Sequence, residues 1–210
     1  KSATYFMDED MNVYHNQELL FSLNLQNEGL EARHNRYNIL AAISASMIYG
    51  VKEEMIKNTL HEFKGVSGRQ EFIRELNGIK FYNDTTATSV EAVKAMFERF
   101  SKNYSGKIVM IAGGVDKGLD YSLLLDDMKK HLKSLVLFEG SASEKIASLM
   151  DSPNNVNKYF SNMKDAVEKA YEVADKGDIV ILCPSASSFN MFLNEFDRGN
   201  QYVNSVNNLK

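Results

Sequence analysis

Residues 83–88 have the sequence Asn-Asp-Thr-Thr-Ala-Thr and stand between two different apolar patterns. The preceding run contains Ile79 and Phe81, whose alternation is typical of a strand, and the apolar residues that follow recur at helical spacing. The segment is therefore predicted to be a strand-to-helix turn, where backbone N–H groups and a helix dipole can face an anion. It offers one carboxylate and three hydroxyl groups within six residues.

Two later turns, residues 113–118 and 184–188, also follow apolar runs. If the three preceding strands are parallel, all three turns lie at one edge of one sheet, where such folds bind ligands. A lysine among hydroxyl and N–H groups suits a carboxylate or phosphate, although Asp, Ser and Thr after a strand also serve as helix caps. The residues alone therefore predict an anion-binding α/β domain and leave its chemistry open. The polar residues of the three turns are Asp84, Thr85, Thr88, Asp116, Lys117, Ser185, Ser187 and Ser188.

Length and composition are those of an ordinary soluble globular protein. The chain has 210 residues, of which 44% are hydrophobic and 25% charged, enough for one large domain or one domain plus part of another. A net charge of -4, with acids and bases interspersed, argues against nucleic-acid binding. The single cysteine excludes an internal disulfide and fits a reducing compartment, and no apolar run approaches the ~20 residues of a membrane span.

The first 66 residues are predicted to form short strands at 4–7, 12–15 and 19–25, followed by a helical hairpin over 35–49 and 51–63. These strands are too few to bury a core of their own, so they are interpreted as the tail of a larger sheet. Gly65 and Gly68 lie in a stretch without apolar periodicity, which predicts a domain boundary between 1–66 and 67–210.

From residue 70 onward, predicted strands and helices alternate. A β-hairpin is indicated by Asn77-Gly78, and a capping box, Thr88 to Glu91, opens the next helix. The predicted class is therefore α/β: a mostly parallel Rossmann-like sheet flanked by helices, with an N-terminal β-hairpin. The predicted strands are 71–76, 79–83, 108–112, 135–138, 156–160 and 179–183, and the helices include 121–132, 143–150 and 166–174, with helical residues from there to the C-terminus.

Several common motifs are missing from the sequence. No Gly-x-x-x-x-Gly-Lys-Ser/Thr loop occurs, and residues 113–118 also fail the Gly-x-Gly-x-x-Gly spacing of dehydrogenases. The four histidines are scattered and Cys183 stands alone, so no metal site is predicted and Cys183 is expected to be a buried strand residue.

Taken together, five motifs resemble those of the Mur ligase family. The segment at 83–88 is similar to the Asn-Asp-Ser-Lys-Ala-Thr motif of the members that add D-glutamate, whereas members adding other amino acids usually have Tyr plus His or Asn there. The five are His-Asn-Arg-Tyr-Asn at 34–38, the glycine-containing segment 65–71, residues 83–88, Gly-Gly-x-x-Lys at 113–117, and 184–188 with Phe192 and Arg198-Gly199-Asn200 beyond.

The resemblance implies that the chain is the C-terminal part of a longer enzyme. Residues 1–66 would be a remnant of the central ATP-binding domain, and residues 67–210 the C-terminal, glutamate-ligase domain. The sugar-nucleotide domain, phosphate loop, Mg²⁺ carboxylate and modified lysine of the family would lie upstream. No catalytic residue is therefore expected within this chain, which alone should turn over no ATP.

The implied reaction is the ligation of D-glutamate to UDP-N-acetylmuramoyl-L-alanine, a cytoplasmic step of peptidoglycan synthesis. ATP would phosphorylate the L-alanyl carboxylate, the amine of D-glutamate would attack the acyl phosphate, and the intermediate would collapse to an amide, ADP and phosphate. Mg²⁺ would neutralise the phosphoryl charge during transfer. The implied partners are ATP, both substrates and the remaining domains in cis, within a monomer.

The same resemblance assigns residues to ligands. Its ATP contacts are Asn35, Asn38, Arg69 and Asp84. Its D-glutamate contacts are Thr88, Lys117 and Ser188, with Thr85, Asp116 and Ser187 as secondary candidates. Structural alternatives remain open: Asn35 and Thr88 could be helix caps, Arg69 a surface ion pair, and Asp116 only part of its turn.

The sequence departs from the family pattern in three segments. Thr86 replaces a usual lysine, Ser67-Gly68 replaces Pro-His before Arg69, and Glu195 occupies the position of an aromatic residue, with Phe196 following it. Two other functions stay open: an amide ligase of the folylpolyglutamate synthase type, which uses L-glutamate, or a non-catalytic module that recognises an acidic metabolite.

Overall fold

The chain divides into two units, Lys1–Gly65 and Val66–Lys210. The structure, a computed structural model, describes residues 4–25, 30, 33–150, 155–189 and 191–210. Among these residues, no helix combines the length and the apolar character needed to cross a membrane.

The first unit combines a small antiparallel sheet with two helices. Its strands pair in the order β1-β2-β3, and the buried side chains include Val13, Phe21, Ile39 and Ile43. The predicted strands and helical hairpin are present, although the third strand ends at Ser22 instead of residue 25. The elements are β1 (Tyr5–Met7), β2 (Asn12–His15), β3 (Glu18–Ser22), α1 (Arg33–Ile48) and α2 (Glu53–Glu62).

The second unit is built on a six-stranded sheet of order β4-β5-β9-β6-β7-β8. Only β4 is antiparallel, and the other five strands are parallel, so the α/β class and the hairpin at its start are confirmed. The elements are β4 (Glu71–Leu76), β5 (Ile79–Asn83), α3 (Val90–Tyr104), β6 (Ile108–Ala112), α4 (Leu125–His131), β7 (Leu132–Phe138), α5 (Ser141–Leu149), β8 (Val156–Phe160), α6 (Met163–Val173), β9 (Ile179–Leu182) and α7 (Glu195–Asn208).

Helices cover both faces of this sheet. Side chains of α3, α4 and α5 pack in one apolar layer, and those of α6 and α7 pack in the other. The chain after β5 and β6 therefore leads to one face, while the chain after β9 leads to the opposite face. Because β9 lies between β5 and β6, the direction of the connections reverses at these strands, and their carboxyl ends are the position at which open α/β sheets bind ligands.

Three local predictions need correction. The N-cap of α3 is Ser89 and not Thr88, because the helix begins at Val90 and the Oγ of Ser89 accepts from Ala92 N at 3.3 Å. The predicted helix 121–132 begins with a 3₁₀ turn and stops at His131, since the strand β7 starts at Leu132. Helical structure does not follow β9 directly, because the chain first pairs with the turn after β6 before α7 begins.

Candidate functional site at the carboxyl edge of the sheet

The three polar turns meet at one edge of the sheet. Ser185 N–H donates to Ala87 O at 2.9 Å, which joins the turn after β9 to the turn after β5. Val115 and Ser187 exchange backbone hydrogen bonds of 3.2 and 3.1 Å, which join the turn after β9 to the turn after β6. The turn after β9 is thus hydrogen-bonded to both of its neighbours, so the three turns lie side by side at this edge.

Gly114 permits the close approach of two of these turns. Its φ is +131°, and a Cβ added there would lie 2.3 Å from the carbonyl oxygen of Ser187. That contact is with backbone, which cannot rotate away as a side chain can, so only glycine fits at this position.

A buried arginine links the turn after β5 to the turn after β9. Arg198 of α7 is 0% exposed, and its guanidinium donates to Thr85 Oγ1 (3.1 Å), Thr85 O (2.6 Å) and Ala186 O (3.2 Å). Burial lowers its pKa to about 10, so it stays protonated at neutral pH. Because a buried cation requires such partners, the two turns are held at fixed separation by one side chain.

The hydroxyl of Thr85 forms its hydrogen bonds within the protein. Its hydroxyl donates to Glu195 O at 2.8 Å and accepts from Arg198, and the residue is 1% exposed. A Cβ on Gly199 would lie 2.8 Å from Thr85 Cγ2, so α7 packs directly on this side chain. Thr85, a secondary ligand candidate in the sequence, therefore occupies a structural position here.

Asp84 is the most unusual group of the site. Its Oδ1 accepts from Gln70 N at 3.2 Å, whereas Oδ2 is buried and has no hydrogen-bond partner among the described residues. Burial raises the pKa of this carboxyl to about 7, against the opposing effects of the Gln70 N–H and the charges of Arg99 and Arg69. A buried carboxylate oxygen without a donor is rare in folded proteins, and it is suited to accept a hydrogen bond from a ligand.

The segment before β4 is fastened to the turn after β5. Gly68 O accepts from both Thr86 N (3.2 Å) and Thr86 Oγ1 (3.0 Å). Glu71 Oε2 accepts from Ser67 Oγ at 3.1 Å and from Gly68 N at 2.8 Å. The departures from the family pattern at residues 67, 68 and 86 therefore contact one another or share a partner, and they leave Arg69 exposed beside Asp84.

In the turn after β6, the carboxylate of Asp116 interacts with groups of the protein itself. Asp116 Oδ1 accepts from Gly118 N (3.0 Å) and Leu119 N (3.3 Å), and Oδ2 forms an ion pair with Lys145 of α5. The hydrogen bond from Lys145 is the main reason that the pKa of Asp116 is lowered. Lys117 is exposed, and its ammonium group makes no ion pair or hydrogen bond within the described ranges, so it is available to an anion.

Comparison with known protein families identifies the family to which this chain belongs. Residues 68–186 match the family described as the Mur ligase, glutamate ligase domain. The chain belongs to the Mur ligase family.

The similar curated proteins are named UDP-N-acetylmuramoylalanine--D-glutamate ligase. That of Caldicellulosiruptor bescii is 38% identical over 181 residues, which cover 86% of this chain and 38% of the relative. That of Natranaerobius thermophilus is 36% identical over 206 residues, covering 97% and 41%. The chain thus spans about two fifths of the length of these relatives.

Solved structures agree with the fold. The UDP-N-acetylmuramate–alanine ligase of Thermotoga maritima gives a TM-score of 0.68 at 17% identity and covers 94% of this chain and 43% of its own. A folylpolyglutamate synthase/dihydrofolate synthase from Yersinia pestis gives 0.63 at 20% identity, covering 83% and 40%, and was also solved complexed with AMPPNP and Mn. At these identities the likeness concerns the fold alone.

In this Mur ligase chain the remaining sequence candidates lie as follows. Ser187 Oγ donates to Val115 O at 3.3 Å, while Ser188 is buried and its carbonyl accepts from Phe192 N at 3.0 Å. Thr88 is half-buried, one residue before the cap of α3. Asn35 and Asn38 belong to the first unit, half-buried and exposed respectively, and Asn35 lies inside α1 instead of capping it.

Sequence reasoning missed the roles of Arg198, Gln70 and Arg99. In the sequence Arg198 is only one residue of a motif, and nothing in the helical pattern indicates that its charge is buried. Cys183 is fully buried beside β9, where burial raises the pKa of its thiol, as expected for a structural residue. No cluster of three or more metal-ligating side chains occurs in the part of the chain that the structure describes.

Proposed function

We propose that this chain is the C-terminal part of an ATP-dependent ligase that joins D-glutamate to UDP-N-acetylmuramoyl-L-alanine in the cytoplasm. The observation that carries the proposal is its 33–38% identity, across most of its length, to proteins named as D-glutamate ligases. Residues 67–210 would be the glutamate-ligase domain and residues 1–66 the last part of the central domain, in a monomeric enzyme.

D-Glutamate would bind at the carboxyl edge of the sheet, where the three turns lie side by side. Lys117 supplies a mobile ammonium group for one carboxylate, and the hydroxyls of Thr88 and Ser188 hydrogen-bond a second. The N-terminus of α3 adds a favourable dipole for negative charge beside Thr88. Holding both carboxylates leaves the α-amine as the only untethered polar group, oriented for attack on an activated acyl carbon.

The nucleotide would be held in part by this chain, through Asn35, Asn38, Arg69 and Asp84. The unpartnered, buried Asp84 Oδ2 supports this assignment, because a sugar hydroxyl can supply the donor that the protein does not. Bound ATP supplies the phosphoryl group that activates the acceptor carboxylate, and Mg²⁺ would be held by residues outside this chain. Arg69, exposed beside Asp84, would neutralise negative charge on the same ligand.

A direct test is an ADP-release assay on the natural full-length protein. ADP is expected only when UDP-N-acetylmuramoyl-L-alanine and D-glutamate are both present, and L-glutamate should not replace the D-enantiomer. Turnover with L-glutamate and a folate would instead indicate a folylpolyglutamate-type enzyme. Phosphate release by the 210-residue chain alone would contradict its assignment as an incomplete part.

Replacing Lys117 with alanine tests the amino-acid site. One charge-assisted pair contributes roughly 1.5–3 kcal/mol, so the KM for D-glutamate should rise roughly 10- to 100-fold while the KM for ATP stays within about threefold. The matched control is Lys130→Ala, which removes an exposed lysine from α4. An unchanged KM for D-glutamate would remove Lys117 from the site.

A further inference from the structure

Gln70 has a backbone conformation that its residue type disfavours. Its φ is +48°, in the left-handed region that favours glycine, and it lies directly between Arg69 and the first strand of the second unit. A long side chain persists there only where neighbouring groups hold the backbone in place.

Two side chains, those of Asp84 and Arg99, form hydrogen bonds with Gln70. Its N–H donates to Asp84 Oδ1 at 3.2 Å, and its carbonyl oxygen accepts from Arg99 Nη1 at 3.0 Å. The same Nη1 also donates to the side-chain Oε1 of Gln70 at 3.2 Å. Backbone donor, backbone acceptor and side chain of Gln70 are thus all engaged.

Arg99 is itself fixed by packing. It lies on α3 and is half-buried, with its guanidinium carbon 4.7 Å from the ring centre of Phe100 and 5.8 Å from that of Tyr82. Stacking of this kind restricts the rotamers of an arginine and keeps its N–H groups aimed in one direction. Arg99 therefore acts as a rigid donor toward residue 70, although it lies outside all five motifs of the sequence.

We propose that Arg99 is a positioning residue for the nucleotide subsite, acting by holding Gln70 in its left-handed conformation. This conformation directs the Gln70 N–H to one oxygen of Asp84, so that the other oxygen is the one left for a ligand. It also fixes the position of the neighbouring Arg69. The identity of the ligand rests on the proposed function, whereas the role of Arg99 toward Gln70 does not.

A double-mutant cycle with Gln70→Gly tests this role, because glycine adopts positive φ without help. The full-length protein is titrated with a non-hydrolysable ATP analogue. Arg99→Met should weaken binding by about tenfold, and the loss should be at least threefold smaller in the Gln70→Gly background. The control is Lys102→Met, which removes an exposed cation from the same helix and should leave binding within about twofold.

Amide hydrogen exchange on the 210-residue chain provides a readout that needs no ligand. Arg99→Met should accelerate exchange of the Gln70 amide by about tenfold and leave the amides of β6 unchanged. Unaltered exchange, or equal losses of binding in both backgrounds, would overturn the positioning role. A wild-type protein that binds no ATP analogue would contradict the proposed function instead, and the exchange experiment would still decide the role of Arg99.

Discussion

Replacing Arg198 with methionine is expected to lower the free energy of unfolding of the Val66–Lys210 unit by about 2–4 kcal/mol. Methionine fills a similar length of space but leaves Thr85 O and Ala186 O without their donor in a fully buried site. Each orphaned buried acceptor costs about 1–3 kcal/mol. The loss is reduced because the buried guanidinium itself carries a desolvation penalty that methionine removes.

Urea unfolding followed by circular dichroism would measure this change. Arg198→Lys keeps the charge but cannot span the same acceptors, so its stability should lie between those of wild type and Arg198→Met. Asn204→Met, on the exposed side of α7, is the matched control and should change stability by less than about 0.5 kcal/mol. An Arg198→Met variant as stable as wild type would mean that water satisfies both carbonyls.

The sheet could be predicted because its determinants are local. The two strands at the centre of the sheet, Ile108–Ala112 and Ile179–Leu182, are uninterrupted apolar runs, and the Asn77-Gly78 turn has the positive φ values that its hairpin requires. Once the strands are taken as parallel, their carboxyl ends share an edge by geometry alone. The location of the three polar turns at one edge therefore follows from the sequence, whereas their direct contact depends on the long-range pairing of β9 with both β5 and β6.

The hydrogen bonds and ion pairs within the site join residues far apart in the sequence and could not be predicted. A helical arginine such as Arg198 has no sequence signal that distinguishes a buried position from an exposed one, and its partner Thr85 lies 113 residues away. Likewise, Asp116 pairs with Lys145 across 29 residues, which leaves its carboxylate in a structural role. A list of polar residues at a sheet edge therefore mixes groups that build the site with groups that face a ligand.

Asp84 shows how burial separates these two classes. The buried hydroxyl of Thr85 both donates and accepts a hydrogen bond within the protein, whereas one buried oxygen of Asp84 has no hydrogen-bond partner among the described residues. A hydrogen-bond donor to Asp84 Oδ2 within the protein would stabilise the fold. The missing donor therefore lowers the stability of the chain, as is common at binding sites. The two neighbours in the sequence thus have opposite roles that the motif does not reveal.

Replacing Asp84 with asparagine is expected to stabilise the folded chain at pH 8 by about 1–3 kcal/mol while weakening nucleotide binding by about tenfold. The pKa of this carboxyl is about 7 when folded and 3.8 in an unperturbed chain, a difference that corresponds to about 4 kcal/mol. Because the folded value is the higher one, the wild-type chain loses stability as the pH rises from about 4 to 7, and the penalty is constant above that. Asparagine keeps the acceptor for Gln70 N–H and removes the charge, although its amide donor remains unpaired and offsets part of the gain.

The pH dependence distinguishes this electrostatic account from a simple packing effect. The stabilisation by asparagine should be near zero at pH 4, where Asp84 is protonated in the folded chain, and should grow to its full value above pH 7. The control is Asp126→Asn, which replaces an exposed carboxylate in the first turn of α4. Its effect on stability should not increase in this way between pH 4 and pH 7. A gain that is the same at pH 4 and pH 8 would mean that the charge of Asp84 is already compensated within the fold, and its unpartnered oxygen would then give no support to a nucleotide site.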